Sequence, residues 1–324
     1  MLCSVVGVGF VSGAEIYEVF VRFGKFWPLG VAVFFLLMFL ISFKIILNYC
    51  NSKNISKMYF ENNNYVKNTF LSKFKIKSFL LFFNILLVSG AMFSGLRTLL
   101  KQLCNNNYVL IFVLCVLVIF LVLFFGVSGL QKMDYFVLVF MILLAMFFAC
   151  QTFGENQYQI LSLDNNFKAG LFSVFFAVLY VFMNILQIEP ILSEFNISFS
   201  KRKALLLSFF FSFVLTLLLI VFVLFFNANA KIAESSMPFL SYFKSKGGAL
   251  FYVFSVGLIL ALVSSLLAAL IGLKRRFISK TSNLVATLLS IFLGLVVSVF
   301  DFSFFVSVVY PLVGFVNFVI FVFL

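Results

Sequence analysis

The feature that most constrains this chain is its succession of long, uncharged apolar runs. Leu205 to Phe226 gives 22 consecutive residues without an Asp, Glu, Lys or Arg, and comparable runs recur from one end of the chain to the other. A helix needs about 20 apolar residues, at roughly 1.5 Å each, to cross the hydrocarbon of a bilayer. The runs do not alternate as the strands of a membrane barrel do, in segments of about ten residues. The chain therefore reads as an all-α membrane protein. Its 10% charged residues would leave a soluble fold without a water-compatible surface, since soluble domains carry about 25%.

Ten transmembrane helices are expected, near 1–23, 27–48, 78–98, 107–126, 131–150, 168–189, 203–227, 248–272, 282–300 and 303–324. The charges orient them. With the amino terminus inside, 15 of the 23 Lys and Arg fall on the inner side, including the dense groups at 53–77, Lys201–Lys203 and Lys274–Arg276. Cytoplasmic loops carry such an excess, so both termini are expected in the cytoplasm. Glu155 and Asp164 fit an outer loop. The 52 Phe, with Asn and Lys common in the loops, suggest AT-rich coding in a low-GC bacterium or an organelle. A bacterial plasma membrane is the expected location. No basic n-region opens the chain, so no cleavable signal peptide is expected.

Several function classes fall away. The net charge of +13 sits in short loops beside helices, which argues for orientation in a lipid bilayer and against nucleic acid. There is no His, and Cys3, Cys50, Cys104, Cys115 and Cys150 are not at metal-ligand spacing. Zinc, haem and Ser-His-Asp chemistry are therefore not expected. Asp134, Asp164 and Asp301 are single and dispersed, with no pair spaced for acid–base work, so no enzyme is expected.

The first span stands apart. Gly7-Val8-Gly9-Phe10-Val11-Ser12-Gly13-Ala14-Glu15 interrupts an apolar helix with three glycines, a hydroxyl and a carboxylate. Broken backbone at membrane depth survives only where protein buries it or it lines a watery cavity. Freed amides there suit anionic groups and freed carbonyls suit Na⁺. Small residues four apart, such as Gly9 and Gly13, also serve close helix packing. Only six residues precede Gly7, about 9 Å of helix, so the break lies near the inner face or the natural chain begins upstream of Met1. Glu15 and Glu18 share a helix face. Glu18 is expected to be solvated at the interface or paired with Arg22; Glu15 either gates an outer vestibule, couples a proton, or shares that interfacial role. Tyr180 and Asn184, four apart in the sixth span, face a substrate or act as inter-helix glue. Asn84, Ser89 and Gly90 read as packing residues.

The stretch Val5–Ile16, followed by Phe20 and Phe23-Gly24, resembles the opening of the YkvI-like membrane proteins, which carry a VVGAGFASGQE-type motif in their first helix. Leu179–Ile185 and Tyr310-Pro311-Leu312-Val313-Gly314-Phe315 are also similar. Ala14 stands where that family has Gln, and Val11 where it has Ala, which leaves any shared substrate open. The family looks like a branch of the amino acid–polyamine–organocation superfamily, with the LeuT-type fold. The resemblance implies one transmembrane domain over 1–324, built as inverted five-helix repeats at about 1–150 and 168–324 with helices 1 and 6 broken. It implies a secondary active transporter of a small organic solute, an amino acid or amine, coupled to Na⁺ and needing no other cofactor. Substrate would meet Gly7, Gly9, Phe10, Ser12, Gly13, Glu15, Tyr180 and Asn184. Sodium would sit between Gly7 and the hydroxyls of Ser264 and Ser265, although helix serines also bond carbonyls one turn back.

The competing expectation is a membrane subunit of a respiratory or other complex without transport of its own. A proton-pumping subunit needs ionisable residues inside several spans. Spans four, seven, eight and nine have none in their interiors.

Overall fold

The computed structural model describes residues 8–59, 67–125, 130–154, 167–185, 200–229, 232, 235–278 and 281–323. Among them the secondary structure is helical, with no strand. Two short helices, α1 (Val8–Ser12) and α2 (Ala14–Val19), lead through a 3₁₀ segment (Val21–Phe26) into α3 (Trp27–Tyr59). There follow α4 (Lys67–Cys104), α5 (Tyr108–Phe125), α6 (Leu130–Gly154), α7 (Phe167–Ile185) and α8 (Lys201–Ala228). The chain ends with α9 (Pro238–Lys246), α10 (Gly248–Ile278), α11 (Asn283–Val297), α12 (Phe302–Phe304), a π-helical turn (Phe305–Val309) and α13 (Tyr310–Phe323).

Among the described residues seven helical stretches are long and apolar enough to cross a membrane: Val21–Leu47, Phe82–Cys104, Tyr108–Phe125, Tyr135–Thr152, Lys201–Ala228, Gly248–Ile278 and Phe302–Val319. Their outward faces are apolar. On α5, Leu110, Val113, Leu114, Leu117 and Val118 are all exposed, a surface that suits acyl chains and not water. The protein is thus an all-helical integral membrane protein. The expected count of ten differs in three places. Lys168–Asn184 and Asn283–Val297 are shorter apolar helices, and the first expected span is two short pieces. The last difference has a local cause. Gly13 adopts φ 85°, ψ −8°, which ends α1 and starts α2 at a new angle, and Gly24 (φ 58°, ψ −129°) turns the chain again before α3.

The helices pack in two groups. In one, α7 and α8 both lie against α3, and α13 lies against α7; in the other, α4, α5, α10 and α11 pack on each other. Helix α6 touches α8 and α10, one from each group. The broken first segment lies between them: α1 packs on α10 and α4, and α2 on α7 and α8.

Helix ends leave carbonyls without intrahelical partners, and in the second group neighbouring helices supply donors there. Lys274 Nζ of α10 donates to the Leu123 carbonyl at the end of α5, and Asn283 Nδ2 donates to the Phe124 carbonyl at 3.4 Å. Ser94 Oγ of α4 donates to the Phe300 carbonyl beyond α11 at 2.7 Å, and Arg97 donates to the Val299 and Phe300 carbonyls at 3.3 and 3.2 Å. Helices α8 and α11 open on serine caps, with Ser200 accepting from the Lys203 amide and Ser282 from the Val285 amide, a pairing that fits the first orphan donors.

Candidate functional site

The break is packed by aromatic side chains. A Cβ at Gly13 would lie 2.5 Å from Cζ of Phe226, so α8 approaches the turn as closely as a glycine permits. Phe226 stacks on Phe239 of α9, ring centroids 4.7 Å apart, and Phe222 meets Phe10 edge-on at 5.7 Å. Ser12 is fully buried and its Oγ accepts from the Ala14 amide at 3.4 Å, within the turn. Phe10 and Gly13 are thus held against an aromatic cluster. Gly9 lies within α1, and Gly7 lies outside the described residues.

One turn further the chemistry changes. The first turn of α2 carries Glu15, 2% exposed, and its Oε2 accepts a 2.7 Å hydrogen bond from the hydroxyl of Tyr180, 4% exposed, on α7. Aromatic rings fix that tyrosine: Phe20 stands edge-on to it at 5.9 Å and Phe34 lies tilted at the same distance. Among the described residues no ion pair involves Glu15, while Arg22 pairs with Glu18 and Arg97 with Asp301 at 4.0 Å. Of the two outcomes expected for Glu18, the pair with Arg22 is the one present, and Glu15 is a buried carboxylate bonded to a phenol.

Tyr310 joins this pair from α13. It follows the π-helical turn, where its own amide bonds the Phe305 carbonyl five residues back. Pro311 explains the widened turn: it has no N–H to give the carbonyl four residues earlier, and its ring crowds that carbonyl. Gly314, one turn on, lets α13 settle on α7, since a Cβ there would lie 2.2 Å from the Leu179 carbonyl oxygen. Asn317 ties the same helices by donating to the Phe182 carbonyl at 3.2 Å. The Tyr310 hydroxyl is buried and has no hydrogen-bond partner among the described residues.

Glu15, Tyr180 and Tyr310 are the polar side chains lining a cavity between α2, α7 and α13, walled otherwise by Val19, Phe176, Leu179, Met183, Val306 and Pro311. Its volume of about 10 Å³ is close to what one water requires.

Of the expected substrate residues, Glu15 and Tyr180 are therefore brought together. Asn184 lies one turn beyond Tyr180 on α7, and its Nδ2 bonds the Tyr180 carbonyl at 2.9 Å. On α10, Ser264 is buried and Ser265 donates to the Ala261 carbonyl at 2.9 Å. Helix α7 runs unbroken over Phe167–Ile185, and residues 186–199, where the expected sixth span ends, lie outside the described residues. Tyr310 was not among the expected site residues. A tyrosine directly before a proline inside an apolar helix is the signal that marks it. Among the described residues no three His, Cys, Asp or Glu cluster to hold a metal ion. No family model matches the chain, and comparison with curated proteins gives no significant match.

Proposed function

We propose that this protein is a secondary active transporter of a small organic solute, amino acid or amine-like, coupled to a cation gradient. The observation that carries the proposal is the first segment, broken at Gly13 and packed between two helix groups, with the buried Glu15 bonded to α7 directly after the break. Discontinuous helices at a repeat interface are where transporters hold solute and ion.

An inverted repeat of the LeuT type finds support in the packing. Number the segments with α1–α2 as first, α3 to α8 as second to seventh, α10 and α11 as eighth and ninth, and α12–α13 as tenth. Counting five segments on, around the ten, maps the third–fourth contact onto eighth–ninth, third–ninth onto eighth–fourth, and fifth–eighth onto tenth–third, and all six contacts occur; among the described residues the sixth–tenth and fifth–seventh contacts have no counterpart of comparable extent. The capping bonds obey the same rule. The third segment, through Ser94 and Arg97, caps the end of the ninth, and the eighth, through Lys274, caps the end of the fourth. The repeats would span about 1–150 and 168–324, in a bacterial plasma membrane with both termini cytoplasmic.

Sodium would bind where α1 meets α10. Ser265 uses its proton on the Ala261 carbonyl, which leaves its oxygen lone pairs for a hard cation. An organic solute needs a wider form of the Glu15 cavity than the one-water volume described, reached by parting α13 from α2.

Uptake of a panel of labelled amino acids and amines into proteoliposomes tests the proposal. Flux or exchange of at least one solute, stimulated by an inward Na⁺ gradient, is expected. Neither flux nor exchange with any of them would sink it.

A further inference from the structure

We infer that the cavity between α2, α7 and α13 is a proton site, where Glu15 binds and releases one proton per transport cycle and Tyr310 is the hydrogen-bond partner it gains and loses. The inference rests on the transporter proposal and deepens it, since it names a coupling ion at a position separate from the sodium residues on α10.

Size and donor chemistry select the ligand. The cavity has room for about one water, which leaves out an organic solute in this form. Hard cations such as Ca²⁺ and Mg²⁺ take about six oxygen ligands or more. The side-chain oxygens here come from Glu15, Tyr180 and Tyr310, and the remaining wall side chains are Val, Phe, Leu, Met and Pro. A proton needs the carboxylate alone, and a membrane-embedded carboxylate is a functional candidate by its cost.

The second observation is independent of Glu15. The Tyr310 hydroxyl is buried, without a hydrogen-bond partner among the described residues, and Tyr310 lines the same cavity. Buried hydroxyls are rarely left so. It sits where the π-helical turn meets Pro311, the point at which the helix is least constrained by its own hydrogen bonds. A small change of pitch there moves the hydroxyl relative to the carboxylate, so binding a proton and moving α13 are linked.

The other titratable groups on the surrounding elements lie away from the cavity. Glu18 is paired with Arg22 on the helix end that follows. Lys25 on the 3₁₀ segment and Lys168 at the start of α7 are exposed, as is Asp301 before α12. Tyr17 on α2 does not line the cavity, and α8 carries its basic residues, Lys201 to Lys203, in its first turn. The step is a protonation and nothing more: carboxylate plus proton gives carboxylic acid, and Tyr180 keeps its hydrogen bond as donor or acceptor.

Infrared difference spectra of the protein in liposomes, recorded on stepping the pH, test it. A carboxylic-acid carbonyl band that titrates, is missing from Glu15→Gln and is displaced in Tyr310→Phe is the expected result. A titrating band that survives in Glu15→Gln, or no band from Glu15 across the pH range of the folded protein, overturns it. With a solute found as above and the membrane potential clamped, a one-unit pH gradient should support accumulation approaching tenfold for one proton. Glu15→Gln should lose that accumulation, and equal accumulation by both proteins overturns the inference. A titrating Glu15 band without flux or exchange of any solute would instead refute the transporter proposal. Thermal unfolding of each variant establishes that it is folded.

Discussion

The hydroxyl of Tyr180 reaches the carboxylate of Glu15 across 165 residues of sequence, 2.7 Å apart in a buried site. It joins the broken first segment to α7 by a bond that neither water nor lipid can replace. Tyr180→Phe should therefore leave the carboxylate without its donor and destabilise the protein by about 1.5–3 kcal/mol, the range for hydrogen bonds to charged groups. Chemical unfolding in detergent measures this. The double variant with Glu15→Gln should cost less than the sum of the singles, because the two side chains form one interaction.

If Glu15 carries the coupling proton, the sign of the pH dependence follows. Raising the pH on the side from which solute enters takes the proton off the carboxylate and depletes the loaded carrier, so initial uptake should fall as that pH rises. In Glu15→Gln the dependence should flatten. Initial rates at constant sodium and zero membrane potential give the comparison, and a slope that is the same in both proteins would contradict the prediction.

Gly13 combines a left-handed backbone with a phenyl ring where its side chain would be. Gly13→Ala should cost roughly 1–2 kcal/mol for the backbone and a further 1–3 kcal/mol for overpacking against Phe226. In a Phe226→Leu background the second part should vanish, because the ring atom that meets the new methyl is gone. A coupling near zero between the two substitutions would mean that α8 yields freely at this contact.

The reciprocal caps make a different kind of prediction. Lys274→Ala removes the donor at the Leu123 carbonyl, and Arg97→Ala removes the donor at the Val299 carbonyl and one of two at the Phe300 carbonyl, where Ser94 also donates. Each should lower stability by about 1–2 kcal/mol. Since they act at different helix ends without shared partners, their effects should add to within about half a kcal/mol. Strong non-additivity would show that the two ends are coupled.

The helices were largely legible because uncharged runs of span length have few alternatives in lipid. The break in the first segment was legible for the opposite reason: glycines and a carboxylate contradict the pattern around them. Of the glycine stretch, residues 8–12 keep helical bonds, Gly13 departs from them, and Gly7 lies outside the described residues. Phe10 and Gly13, expected to face a ligand, pack against Phe222, Phe226 and Phe239, and nothing local distinguishes the two outcomes. Burial against an aromatic cluster depends on α8 and α9, which lie more than 190 residues away. The place of Tyr310 before Pro311 is visible in the sequence, but only the fold brings Tyr310 to the cavity it shares with Glu15. Helix α9 was not expected at all, being short and of mixed polarity.

Gly314 sets how far Tyr310 stands from Glu15. With hydrogen in place of a side chain, α13 lies so close to α7 that a methyl would overlap the Leu179 carbonyl at 2.2 Å. That atom is backbone in a regular helix and cannot turn aside, so Gly314→Ala must push the helices apart. Tyr310 is one turn away on the same helix and should move with it, opening the cavity and exposing Glu15 to water. The variant is expected to lose stability by about 1–3 kcal/mol, to lose uptake, and to bring the Glu15 infrared band toward that of a solvated carboxyl. Gly272→Ala is the control. There the added methyl would sit 3.4 Å from the end of the Ile85 side chain, an ordinary contact, and the cavity should be untouched. A Gly314→Ala protein with normal uptake and an unchanged Glu15 band would show that the distance between α7 and α13 does not govern the site.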